Sequence, residues 1–221
     1  MSRNLVAGVG INDADYKTQE YATINNKQVK IWICPFYQKW ISMLYRVYKT
    51  REKEKSYEKC SVCDEWLTFS NFKSWMETQD WEGKQLDKDL LDPSNTMYCP
   101  EKCIFVDLYI NCLFSDNHSR RGNFMLGVDY RHKKKGMVSE YKRPYRACVR
   151  EYGNRKQIHL GMFTNEFDAH RAWQKAKLDV LDKVKDIYKN DCVALMIIAQ
   201  RYDKLKYDYD NFLETKSLHH Y

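Results

Sequence analysis

The chain has 221 residues, enough for one large domain or two small ones, each able to bury a core. A formal charge of +7 favours a polyanionic partner, and no apolar run approaches the roughly 18 residues that a membrane span needs. The first ten residues have neither the basic start nor the long apolar stretch of an export signal, so a soluble intracellular protein is expected, with its eight cysteines reduced or metal-bound rather than disulfide-paired.

In chain order, the N-terminal part reads as mixed helix and short strand. Pro35 suits the first turn of a helix reaching about Tyr48, because Trp40, Met43, Leu44 and Val47 recur at helical spacing while Lys39 and Arg46 fall on the other face. A second, shorter helix is expected over 70–78, with Phe72, Trp75 and Met76 turned inward. Aromatic side chains at this spacing build a core more readily than a ligand-stacking surface.

Next come Leu86-Asp87-Lys88-Asp89, then Asn95, then Tyr98-Cys99-Pro100-Glu101-Lys102-Cys103, then Asn111. Taken alone, a turn carboxylate and a helical asparagine are ordinary capping residues. The cysteines form two close pairs, Cys60/Cys63 and Cys99/Cys103. Four thiolates would hold a tetrahedral Zn2+. The long separation of the pairs favours the other reading, free buried thiols.

Charge then rises sharply. Residues 116–161 carry twelve Lys and Arg against four Asp and Glu, which accounts for essentially the whole net charge. This shift, with Gly122, Gly127 and Gly136 nearby, predicts a boundary near 117–122. Beyond it, Phe124 to Tyr130, Tyr145 to Arg150 and Gln157 to Leu160 predict three antiparallel strands. Asn165 caps a long helix marked by Phe167, Ala169, His170, Trp173, Ala176, Lys177 and Val180, and its small residues allow close packing on the sheet. A further amphipathic helix is expected from Asp191 to Phe212, and residues 216–221 are expected to fray.

Several segments together resemble the bacteriophage HNH-type endonucleases that carry an AP2 DNA-binding domain. In the first half these are Gly8-Val9-Gly10-Ile11-Asn12-Asp13, Cys34-Pro35-Phe36-Tyr37-Gln38-Lys39-Trp40, Val62-Cys63-Asp64-Glu65-Trp66, Gly83 to Asp89 and Cys103-Ile104-Phe105-Val106. In the second they are Leu126-Gly127-Val128, Tyr145-Arg146-Ala147, His159-Leu160-Gly161-Met162-Phe163-Thr164 and Asp168-Ala169-His170-Arg171-Ala172-Trp173. The resemblance covers roughly residues 8–181 and implies an α+β protein. Its parts would be an HNH-like ββα-metal module over 1–118, an AP2-like three-stranded sheet on a helix over 119–184, and a C-terminal helix and tail over 185–221.

The resemblance implies that Asp87 and Asn111 ligate a catalytic Mg2+ or another divalent cation, whose charge would stabilise the scissile phosphate. It also implies a general base after Asp87, and here the chain departs from the pattern with Lys88 where a histidine is usual. An exposed lysine titrates near about 10.4 and is a poor base at neutral pH. Lys88 then becomes a phosphate contact or a solvated side chain, and Asp89 the nearest substitute base. The middle asparagine of the pattern falls near Lys102, a second departure. The AP2-like half implies double-stranded DNA as partner, with Arg131, Arg146, Arg150, Gln157 and His159 on or near the face toward the bases. Lys133, Lys134, Lys135, Arg143 and Lys156 would meet phosphates.

Two functions remain open on the sequence. One is a site-specific, metal-dependent DNA endonuclease of the phage homing type, at work in the cytoplasm of an infected bacterium. The other is a DNA-binding protein derived from such a nuclease that occupies a site without cutting. RNA binding is the weaker third, since no base-stacking motif of an RNA module is visible. No membrane partner is expected, and oligomeric state stays open.

Overall fold

The computed structural model describes residues 5–50, 57–114, 121–133, 139, 141–153 and 156–219. The chain is α+β and divides into two compact units, residues 1–108 and 109–221.

The first unit opens with a β-hairpin that periodicity did not reveal. Strand β1 (Gln19–Ile24) pairs antiparallel with β2 (Lys27–Ile33) around Asn25-Asn26, both with positive φ, which is the turn that matches the twist of a two-residue hairpin. Helix α1 (Pro35–Tyr48) begins at the expected proline and buries Tyr37, Trp40, Met43, Leu44 and Val47. Helix α2 (Phe69–Glu77) buries Phe69, Phe72 and Met76 against the same core. The Trp40 indole donates to the Trp66 carbonyl at 2.7 Å, which satisfies the one polar atom that burial of this side chain would otherwise strand.

Four very short strands complete this unit. Strand β3 (Ser61–Val62) pairs parallel with β5 (Met97–Tyr98), and β4 (Gln85–Asp87) pairs antiparallel with β6 (Ile104–Val106). Helix α3 (Leu108–Leu113) follows β6 after a single residue, Asp107.

The second unit is built on strands β7 (Val128–Tyr130), β8 (Tyr145–Arg150) and β9 (Gln157–Phe163), antiparallel in that order. Helix α4 (Glu166–Ile187) packs on the sheet and α5 (Cys192–Asp210) packs on α4. Asn165 caps α4 as expected, its side chain accepting the Asp168 N–H at 2.8 Å. Asp191 does the same for α5 through Ala194.

Strand β7 starts four residues later than the alternation from Phe124 suggested, because Gly127 holds φ at +76° and turns the chain there. A Cβ on Gly127 would sit 1.9 Å from the Trp173 ring, so the same glycine lets α4 lie close to the sheet. Strand β9 runs three residues further than expected, to Phe163, which packs with Tyr145, Val128 and Ala169.

The C-terminal segment corrects the expectation of a frayed tail. Thr215 and Leu218 are buried, and the segment is pinned to α4 and α5. The Thr215 N–H donates to His170 Nε2 at 3.0 Å, so the Nδ1–H of a neutral His170 donates to the Leu126 carbonyl at 2.9 Å. Gln174 donates to the Leu213 carbonyl and the Thr215 hydroxyl, and that hydroxyl donates to Asp208, which also receives Lys204. Each of these side chains has a partner, which is what its burial requires. Residues 220 and 221 lie outside the described residues.

Candidate functional site

Asp87 ends β4, and its carboxylate folds back onto the turn that follows. Its Oδ1 accepts the N–H groups of Asp89 and Leu90 at 2.9 and 2.8 Å, a short-range turn typical of aspartate. The side chain is buried, and desolvation together with the neighbouring Asp89 carboxylate pushes its pKa up to about 6.

Of the two readings left open for Lys88, a phosphate contact or a solvated side chain, the structure does not support solvent exposure. Lys88 is buried and donates to Asp89 Oδ2 at 2.5 Å, with its ammonium about one ring-width, 6.0 Å, from the centre of Tyr98. Burial alone would lower its pKa, but the bond to Asp89 and the charges of Asp89, Cys60 and Asp87 outweigh that and raise it. The turn therefore brings Asp87, Lys88 and Asp89 into one cluster of two carboxylates and one ammonium.

Asn95 holds this turn in place, a role that its position in the motif did not reveal. Its amide donates to the Lys88 carbonyl at 2.6 Å and the Met97 carbonyl at 2.8 Å, while its oxygen accepts the Met97 N–H at 3.1 Å. The buried amide thus ties the strand end at Lys88 to the start of β5. Lys102, placed near the middle asparagine on sequence, is half-exposed and lies 3.9 Å from Asp92 instead. Nothing local could have singled out Asn95, since it lies in the polar turn Asp92-Pro93-Ser94-Asn95-Thr96 between exposed neighbours.

Asn111 lies on α3, half-buried, in the second unit. The residues that fit a hard cation within the first unit are Asp87 and Asp89. Both are oxygen donors, and the raised Asp87 pKa shows a buried carboxylate short of positive charge, a deficit that a divalent cation would relieve.

Parallel pairing of β3 and β5 sets Cys63 beside Cys99 at the strand ends, and the Cys63 N–H donates to the Tyr98 carbonyl at 2.9 Å. Cys99 opens a tight turn, its carbonyl receiving the N–H groups of Lys102 and Cys103. Burial raises the pKa of Cys63, Cys99 and Cys103. Cys60 is also buried. Among the described residues, no three of the four sulfurs lie within 4.8 Å of one another. Pairing of β3 with β5 brings the ends of the two cysteine pairs, Cys63 and Cys99, to neighbouring positions.

The basic sheet has two unlike faces. Val128, Tyr145, Ala147 and Phe163 pack toward Ala169 and Ala172 of α4. Alternation then sends Asp129 and Arg146 to the opposite face. A bulge at Ala147/Cys148 resets the register, after which Cys148 pairs with His159 and Arg150 with Gln157. Cross-strand partners share a face, so Arg146, Arg150, Gln157 and His159 form one exposed array.

Arg131 follows β7 and is exposed, its guanidinium 4.0 Å from the centre of the Tyr141 ring. Lys133 and Lys156 are exposed at strand ends. Lys134 and Lys135 lie outside the described residues. Arg143 is exposed before β8.

Lys177, expected only as part of the α4 core stripe, is buried and donates to the Leu113 carbonyl at 2.8 Å. Desolvation, helped by Arg150, lowers its pKa to about 8. No helix among the described residues is long and apolar enough to cross a membrane. A scan of protein-family models and searches of curated proteins and of solved structures found no match to the chain.

Proposed function

We propose that this chain is a DNA-binding, metal-dependent endonuclease. The observation that carries the reading is the exposed Arg146, Arg150, Gln157 and His159 array on the sheet face turned away from α4. Arginine recognises guanine and glutamine recognises adenine through paired hydrogen bonds in the major groove, which admits a narrow β-sheet. The flanking Lys133, Lys156 and Arg143 match a phosphate backbone on either side.

Cleavage is assigned to the Asp87/Asp89 turn, in a strand, strand, helix order (β4, β6, α3) that the resemblance to phage HNH-type nucleases implies. Asp87 and Asp89 would hold a divalent cation, which when bound stabilises charge at a scissile phosphate. Asn111, the further ligand that the same resemblance implies, belongs to the second unit and is left out of this site. Asn95 fixes the turn, and Lys88 balances the charge of Asp89 rather than accepting a proton.

The Lys88–Asp89 ion pair also favours a second reading, a non-cutting relative that occupies DNA, because it occupies the position of the usual base with a bound cationic side chain. Incubation of supercoiled plasmid with the chain and Mg2+ or Mn2+ separates the two. Nicks that vanish with EDTA and in Asp87→Ala support the endonuclease; retarded but uncut plasmid supports the second reading.

A further inference from the structure

The outer face of the sheet carries one acid amid its arginines. Asp129 of β7 stands directly opposite Arg146 of β8, and its Oδ2 accepts both the Arg146 Nε–H at 3.0 Å and an Nη2–H at 2.5 Å. Both side chains are nearly half exposed, 48% for Arg146 and 42% for Asp129. An ion pair so open to water adds little to stability. A carboxylate on a surface meant for phosphates also repels them. Neither fold stability nor non-specific attraction accounts for it.

The donor geometry does. A guanidinium has five N–H groups in a planar fork. Two of them are taken by Asp129, which leaves both Nη1 hydrogens and the second Nη2 hydrogen. The outward pair, one from each terminal nitrogen, is the pair that meets the O6 and N7 acceptors of guanine. With Nε and one edge tethered, the fork no longer rotates about its long stem, so less side-chain entropy is lost when it meets a base. The two residues line a shallow cavity together with Tyr130 and Arg131, and this cavity opens on the same spot.

We infer that Asp129 is a positioning residue that locks Arg146 for reading a single guanine in the DNA major groove. The inference rests on the DNA reading above. It makes Asp129 a determinant of sequence preference that opposes total affinity.

Selection from a duplex library with a randomised core, using the full chain, gives the preferred site. Affinities of the wild type, Asp129→Ala, Arg146→Ala and the double variant are then measured for that site and for copies changed at each guanine. At one guanine position the wild type should discriminate by about 5- to 100-fold. Asp129→Ala should lose most of that ratio at the same position, bind unrelated duplex more tightly than the wild type, and unfold at an unchanged temperature. The double variant should discriminate there no less than Arg146→Ala alone. Retention of the full wild-type ratio by Asp129→Ala, or an equal loss at every position, overturns the inference and leaves the DNA reading standing. A wild type that retains no duplex overturns both.

Discussion

Lys88 Nζ lies 2.5 Å from Asp89 Oδ2 with both side chains largely shielded from water, and this pair decides how the turn after β4 works. A lysine held by a carboxylate stays protonated at neutral pH, so Lys88 contributes a fixed positive charge to the turn. That charge also keeps two adjacent carboxylates, Asp87 and Asp89, tolerable in a buried turn.

Removal of the ammonium should therefore expose their repulsion. Lys88→Met is expected to destabilise the metal-free chain by about 2–4 kcal/mol, since one partner of a shielded pair is left uncompensated. Added Mg2+ should recover part of the loss by supplying the missing positive charge. Urea denaturation in EDTA and in Mg2+ checks this, and an equal loss in both would contradict it.

Asp87 gives a pH signature whose sign follows from its raised pKa. Between the unfolded value, near about 3.9, and the folded value of about 6, the folded chain holds the extra proton, so stability contributed by Asp87 falls as pH rises through that window. Asp87→Asn keeps the oxygen that accepts the Asp89 and Leu90 N–H groups but never ionises. In EDTA the variant should be more stable than the wild type at pH 7, by on the order of 1–3 kcal/mol, and no more stable at pH 4. Mg2+ should raise the melting temperature of the wild type and leave that of the variant nearly unmoved. Thermal melts at the two pH values, with and without Mg2+, read both effects.

His170 joins the start of the sheet at Leu126 to the C-terminal segment at Thr215. Burial lowers its pKa, so the folded chain holds fewer protons than the unfolded one just below the ordinary histidine value. Stability from this group is complete above that value and is lost as pH falls. His170→Ala should cost about 2–4 kcal/mol by stranding a buried N–H and a buried carbonyl. Hydrogen exchange should show the Thr215 amide among those that lose most protection.

Thiol accessibility is predicted to divide sharply. Cys112 and Cys192 are exposed, whereas Cys60, Cys99, Cys103 and Cys148 are buried. Iodoacetamide at mild pH should label Cys112 and Cys192 first, with Cys103 among the slowest because burial raises its pKa strongly. Peptide mass mapping over time gives the order, and early labelling of Cys103 would contradict the placement.

Helices α1 and α4 and the basic sheet were legible in the sequence because each carries its period openly: Trp40, Leu44 and Val47 on α1, Ala169, Trp173 and Val180 on α4, and Arg146 and Arg150 at an even spacing on β8. The hairpin β1–β2 escaped because both its faces are wet, so the alternating Val29 and Ile31 of β2 mark no buried face, although Asn25-Asn26 is a turn signal. The burial of Lys88 was hidden for a different reason. It depends on Asp89, Tyr98 and the loop tied by Asn95, and nothing local to a lysine between two aspartates distinguishes a solvated charge from an enclosed one. The tail after Thr215 looked free because what anchors the chain just ahead of it, the bonds of Thr215 to His170 and Gln174, reaches back some forty residues.

The account stands or falls on the arginine face of the sheet as a surface for duplex DNA, and the salt dependence of binding tests it most directly. Fluorescence anisotropy on the selected duplex across a salt series should give a linear fall of log affinity with log salt. The Lys133→Ala/Lys156→Ala variant should show a slope shallower by about 2, and Arg150→Ala should lose about 1–3 kcal/mol on that duplex with less change on an unrelated one. Binding that is absent in the wild type, or that keeps the same slope and strength in both variants, would contradict it.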